Sequence, residues 1–297
     1  MQAVLFAAIA VFCFTLMDIS IKWSLQSYPL LQVTFFNCLF ALLGLLIWVY
    51  PRFDLLKTRN PLIHLLRAST VLIGDLLAFY SFGQVPLAEA YTLILTMPLF
   101  MALFAFLLRQ EVFKPSTLLL TALGFTGVYV TLNPSFGTFK IALLAALGCA
   151  VVESLGFLLI ARYKEQETPQ SFAVYGLSLV VLSTGIYTLF HYQPMTLAAT
   201  AISLSGGFCY ALATALIVSA FHRGSPTAVS SMQYTQLLWG MLLSYLIWHE
   251  LPSVHALWGA ALVALSGLGL IYTQRKTTAS PEPLKPDAPL SARESVS

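Results

Sequence analysis

From residue 3 to residue 273 the chain alternates between long apolar runs and short breaks rich in Pro, Gly or charge. The runs predict helices over 3–25, 30–50, 62–83, 87–108, 116–133, 139–161, 172–191, 196–220, 226–247 and 254–273. Each is close to the ~20 residues that cross a hydrocarbon layer. In such a layer every backbone polar group needs an internal partner, which helices supply. The period-two alternation of a membrane barrel is absent. PRFDLLKTRNP (51–61) and RYKEQETPQS (162–171) are clear breaks, and tight hairpins are expected after Leu25, Gln84 and His191. The first run lacks a basic leader and a small-residue cleavage site, and it continues past Asp18 to Leu25, so it reads as a membrane helix. Residues 275–297 turn polar, Pro-rich and Ser-rich and read as a disordered tail.

Composition agrees with lipid as the solvent. Hydrophobic residues make up 58% of the 297 and charged ones 9%, against about 25% charged in soluble domains. Mean hydropathy is +0.82. The net charge of +3 comes without a basic patch interleaved with aromatics, which argues against nucleic-acid binding. Cys13, Cys38, Cys149 and Cys209 lie in apolar runs without metal-site spacing and read as buried free thiols. No phosphate-binding loop and no G-x-S-x-G motif is present, and His64, His191, His222, His249 and His255 fall mostly at loop edges. No cofactor or metal is expected. An intramembrane aspartyl protease built on Asp18 and Asp75 is a remote alternative, since its G-x-G-D pattern fails at Leu72.

Lys and Arg set the expected orientation. With both termini cytoplasmic, Arg52, Lys57, Arg59, Arg67, Arg109, Lys114, Arg162, Lys164, Arg223, Arg275, Lys276, Lys285 and Arg293 fall on the inner side, and Lys22 and Lys140 on the outer. The chain also repeats itself. PLAEAYTLILTMPLFMALFAFLLRQE (86–111) and PTAVSSMQYTQLLWGMLLSYLIWHE (226–250) both run from Pro to Glu, and each precedes a Gly-rich helix, LGFTGVYVTL (123–132) or LSGLGLIYT (265–273). The expected architecture is therefore all-α: ten transmembrane helices as two inverted five-helix repeats, 1–135 and 136–274. Inverted repeats belong to alternating-access transporters, with the substrate near the midplane.

This ordered set resembles the EamA-type members of the drug/metabolite transporter superfamily over residues 3–273. The segment with Pro98, Leu99 and Glu111, its counterpart ending in Glu250, and the two Gly-rich helices carry the resemblance. MDISIK (17–22), NPLIHLLRA (60–68) and WHELPSVHALWGAAL (248–262) look like the branch that holds S-adenosylmethionine carriers and opine-metallophore exporters. Relatives often carry Arg after a Phe pair in helix 2, where this chain has Phe35, Phe36 and Asn37.

Polar side chains at membrane depth are costly and mark cavities or partners. Asp18 and Lys22, four apart, share a helix face and can pair, as a structural ion pair or as a wall for a zwitterionic substrate. Asp75 and Glu153 lie mid-helix and suit substrate or proton coupling, or a hydrogen-bonded core. Glu89 and Tyr91 open helix 4 as a cap or a gate. Gln233, Tyr234 and Gln236 suit a polar metabolite or helix-to-helix hydrogen bonds. Asn37, Tyr80 and Trp239 form a weaker set, and Glu111 and Glu250 read as structural. Pro98 is the candidate hinge, without a counterpart at Leu237, so the kink is expected in one half alone. Ala260 and Ala264 permit close helix packing, in the monomer or in a homodimer. The expected activity is secondary transport of a small, polar, amino-acid-derived metabolite across a bacterial inner membrane. Export, as of an opine-type metallophore such as pseudopaline, is favoured over uptake of S-adenosylmethionine.

Overall fold

The computed structural model describes residues 2–107, 115–132, 141–163, 165–223 and 232–278. Glu111, Pro226, Arg109, Lys114, Lys140, Lys164, Lys285 and Arg293 lie outside the described residues.

Every regular element described is helical. The order is α1 (Gln2–Ser24), α2 (Leu30–Val49), a 3-10 turn (Phe53–Leu56), α3 (Pro61–Phe82), α4 (Leu87–Ile94), α5 (Met97–Leu107) and α6 (Pro115–Leu132). Then follow α7 (Ile141–Tyr163), α8 (Pro169–Phe190), α9 (Leu197–Arg223), α10 (Thr235–Trp248) and α11 (Val254–Thr278). Six helices, α1, α2, α3, α7, α8 and α9, are long and apolar enough to cross a membrane. The stretches Leu87–Met101, Leu119–Leu132, Thr235–Trp248 and Val254–Leu270 are apolar but shorter. The last helix continues to Thr278, into the stretch the sequence assigns to the tail. The first proline after Thr273 is Pro281, so no helix breaker stands before Thr278.

Packing partners come in matched sets. Helix α1 lies on α9 as α7 lies on α3, and α2 touches α9 as α8 touches α3. Helix α1 also meets α10, as α7 meets α4 and α5. Helices α2 and α8 face each other, and so do α6 and α11. The last pair approaches through facing glycines: a Cβ at Gly127 would meet the Gly259 carbonyl, and one at Gly259 the Gly127 carbonyl. Ala260, in the same helix, is buried inside the monomer.

The main apolar core joins α1–α4 to α7–α10 through side chains such as Ile21, Val33, Leu45, Leu87, Leu93 and Val180. Large apolar side chains also cover the outside. Ile47, Leu119, Leu189, Phe190 and Leu197 are at least 72% exposed. A soluble monomer rarely presents an apolar surface of this extent, whereas lipid accepts it.

Candidate functional site

Two helix interruptions define the region. Helix α4 stops at Ile94 and α5 starts at Met97. Pro98 causes the break, because it has no N–H for the Ile94 carbonyl and its ring presses on that turn. Beside the break the Thr96 hydroxyl and N–H both donate to the Leu93 carbonyl, and Leu99 N–H donates to the Thr96 carbonyl. In the second half a turn stands directly before α10 among the described residues. Met232 is helical, Gln233 and Tyr234 form a turn, and α10 begins at Thr235. The Thr235 hydroxyl donates to the Met232 carbonyl, as Thr96 does to Leu93. Leu237, the counterpart of Pro98, lies inside α10, and the turn at Gln233 and Tyr234 precedes it without a proline.

Asp18 of α1 joins the two interrupted elements. Its Oδ2 accepts the Tyr91 hydroxyl of α4 at 2.6 Å and the Gln236 amide of α10 at 3.1 Å. Asp18 and Tyr91 are almost fully buried. The Tyr91 ring has room because α10 carries Gly240 there, where a Cβ would strike the ring.

One turn further along α1, Lys22 does not pair with Asp18. Its Nζ binds Glu250 at 2.5 Å and the Val85 carbonyl at 3.0 Å, and it sits 5.1 Å from the centre of the Trp248 ring. His249 explains why Glu250 is available. It caps α10 in the left-handed region (φ 54) and turns the chain back towards α1. The Lys22 side chain is 6% exposed and that of Glu250 33%. Beside them Glu89 accepts the Ser253 N–H at 3.1 Å, linking the first turn of α4 to the start of α11. Gln32 exchanges two hydrogen bonds with the main chain of Gln193. This end of the bundle is closed by polar contacts between distant segments.

Asp75 and Glu153 meet across α3 and α7, together with an unexpected arginine. Arg67 reaches along α3 from the surface to which the sequence assigned it. Its Nη1 donates to Glu153 at 3.0 Å and to Thr70 at 2.9 Å, and it lies over the Phe157 ring. Two glycines make the space. A Cβ at Gly74 would overlap the Glu153 carboxylate, and one at Gly156 would overlap the Arg67 guanidinium. Asp75 has a weak contact with the Cys38 thiol at 3.9 Å and makes no ion pair among the described residues. It lies within electrostatic reach of Glu153, Arg67 and Asp18.

The opposite end carries a second polar lock. Glu167, in the loop before α8, is buried and accepts from the Thr58 hydroxyl, the N–H groups of Arg59 and Asn60, and His64 Nε2 at 3.1 Å. Desolvation would raise its carboxyl pKa, but these hydrogen bonds and His64 outweigh it and hold the group below the usual range.

The structure therefore gathers Asp18, Tyr91 and Gln236 into one cluster and Asp75 with Glu153 into another, while Lys22 belongs to the closure above them. Gln233 sits on the second break and its side chain has no hydrogen-bond partner among the described residues. Tyr234 buries its hydroxyl, likewise unpartnered, against Gly267. Asn37 bonds Ser20 and the Val33 carbonyl, Trp239 packs edge-on against Phe12, and Tyr80 is exposed on the outer surface. Arg67 and Glu250 are the residues that sequence reasoning missed. A spacing rule finds partners on one helix, and both of these bind across helices.

Known proteins fit this architecture. The EamA-like transporter family matches residues 1–133 and again residues 140–273. The S-adenosylmethionine uptake transporter of Rickettsia bellii is 24% identical, over 82% of this chain and 84% of its own. The riboflavin transporter of Rhizobium johnstonii is 25% identical over 93% of each chain. The pseudopaline exporter CntI of Pseudomonas aeruginosa is 23% identical over 92% of this chain and 97% of its own. One solved crystal structure superposes with a TM-score of 0.65 over 94% of this chain and 99% of the other, at 17% identity, and so shares the fold. The chain belongs to the EamA-like transporter family, as a multi-pass membrane transporter of a small molecule and not an enzyme.

Proposed function

We propose that the protein is a ten-span secondary carrier of two inverted five-helix repeats, with both termini cytoplasmic, in a bacterial inner membrane. It moves an amphoteric, amino-acid-derived metabolite by alternating access. The carrying observation is the Asp18 carboxylate, held by Tyr91 of one interrupted helix and Gln236 of the other. Interrupted helices at matching positions of two repeats point to the substrate site of such carriers. The exchange-matched packing partners support the repeat reading, as do the two family matches along one chain. The Lys22 and Glu250 pair, with Glu89 on Ser253, serves as the outer closure of the cavity.

Charge narrows the cargo. With Lys22 neutralised by Glu250, the interior holds three carboxyl groups, Asp18, Asp75 and Glu153, and the Arg67 guanidinium. That excess of acid favours a cargo with net positive charge, or a coupling proton on Asp75 or Glu153. S-adenosylmethionine, with a sulfonium and an ammonium against one carboxylate, has this balance. Export of an opine-type metallophore is the second reading, supported by similarity to the pseudopaline exporter along nearly its whole length. Purified protein in proteoliposomes should take up labelled S-adenosylmethionine, and Asp18→Asn should abolish the uptake. No uptake, together with a compound that builds up in deletion cells and vanishes from their medium, would overturn this reading in favour of export.

A further inference from the structure

The Arg67 guanidinium is more than a counter-ion. Its two hydrogen bonds among the described residues, to Thr70 and Glu153, both use Nη1. The remaining guanidinium N–H groups donate to no described residue, although the side chain is 11% exposed. Those groups are not sealed in the core and keep some accessible surface, so an acceptor can reach them. The bond to Thr70, three residues further along α3, directs the group inward from the helix start. Glu153 fixes its position. One carboxylate oxygen is held by Arg67, and the other lies where a Gly74 side chain would begin, next to Asp75. A guanidinium with an open edge and a carboxyl without an ion pair therefore flank the same glutamate.

We propose that Arg67 and Asp75 form a clamp for an α-amino-acid head group: the open edge of Arg67 takes the carboxylate and Asp75 takes the ammonium. This rests on the proposed cargo class and deepens it by naming the part of the cargo that is recognised. A planar, permanently charged fork matches a carboxylate by two parallel bonds, which a lysine cannot reproduce. Gly74 and Gly156 leave room between α3 and α7 for the Glu153 carboxylate and the Arg67 guanidinium that it positions. The rest of the cargo, whatever its shape, extends towards the Asp18, Tyr91 and Gln236 cluster, and side-chain selectivity resides there.

Thermal stabilisation of the purified protein by matched compounds tests this. The pairs are S-adenosylmethionine with its decarboxylated form, arginine with agmatine, and lysine with cadaverine; arginine with Nα-acetylarginine probes the ammonium. The expected result is that members with an intact head group bind about 10- to 100-fold more tightly, the worth of one charge-assisted hydrogen bond. Arg67→Gln should bring the acid and decarboxylated members to parity, and Arg67→Lys should restore part of the difference. Asp75→Asn should erase the preference for arginine over its acetylated form. A structural role for Arg67 would weaken both members of a pair alike and leave their ratio unchanged, which overturns the clamp. Equal binding of paired members to the unaltered protein, or no binding by any of them, overturns it without any variant. If arginine or lysine discriminates while S-adenosylmethionine does not bind, the clamp stands and the S-adenosylmethionine reading fails.

Discussion

Glu250→Gln should open the face proposed as the outer closure. The variant keeps the shape of the side chain and removes its charge from Lys22, which is nearly buried and 2.5 Å away. Breaking a buried ion pair costs about 3–5 kcal/mol, while a solvent-exposed pair is worth about 0–1 kcal/mol. Glu250 is one-third exposed, and Lys22 retains the Val85 carbonyl and the Trp248 ring. The loss therefore falls between these limits, at about 1.5–3 kcal/mol, a population shift of roughly 10- to 150-fold towards the open state. Val85 offers the assay, because Lys22 holds its carbonyl and its side chain is buried. With Val85→Cys in a background without other cysteines, a membrane-impermeant maleimide should react slowly, and Glu250→Gln should accelerate it by that factor. Lys22→Met should do the same, and the double variant should add little, because the two groups act as one unit. Unchanged labelling in Glu250→Gln, or single effects that simply add in the double variant, would refute the assignment of this pair as a gate.

Three further outcomes follow from the same geometry. Tyr91→Phe removes a hydrogen bond to a carboxylate, worth about 1.5–3 kcal/mol, and initial rates in proteoliposomes should fall at least about tenfold. An unaltered rate would make the Tyr91 contact purely structural. Pro98→Ala lets an N–H reach the Ile94 carbonyl again, so α4 and α5 should join into one helix, with a higher melting temperature and slower turnover. A slower rate without stabilisation would argue against a hinge. The Glu167 carboxyl is held below its ordinary value, so its contribution is present above the unfolded pKa of about 4.3 and is lost as pH falls through the lower folded value. Amide exchange at Arg59 and Asn60, corrected for its intrinsic rate, should therefore stay slow at neutral pH, quicken in that acidic window, and be fast at all pH values in Glu167→Ala.

Much of the fold is legible because lipid imposes a simple rule, in which apolar runs mark helices and charge marks their ends. The long helices α1, α2, α3, α7, α8 and α9 sit close to the predicted spans. What the rule cannot supply is the partner of a charge. Asp18 and Lys22 satisfy helical spacing, and a pair between them was the natural expectation. Their actual partners lie 73 and 228 positions away along the chain, at Tyr91 and Glu250. Arg67 fits the inner-surface charge bias, yet its side chain is long enough to reach Glu153 once Gly156 clears the path. Tyr80, of the weaker set, is exposed: an aromatic at membrane depth serves lipid as well as a cavity, and burial alone separates the two.

The two interruptions explain why partners so distant in sequence converge. A continuous helix spends its carbonyls on its own turns, and its side chains look outward from a uniform surface. Where a helix stops and restarts, both the axis and the direction of the next side chains change. Tyr91 lies one turn before the first break and Gln236 just after the second, so both can address one carboxylate on α1. The two breaks reach this arrangement with different residues, proline and threonine in one half and threonine in the other. In each, a hydroxyl donates to the carbonyl three residues back. Thr70 and Ser154 make the same bond inside unbroken helices, so the hydroxyl accompanies a break without causing it. Proline ensures the stop in the first half, but the second half forms its turn without one. The turn at Gln233 and Tyr234 therefore owes nothing to Pro98, and Pro98→Ala should stiffen the first half while leaving that turn unchanged.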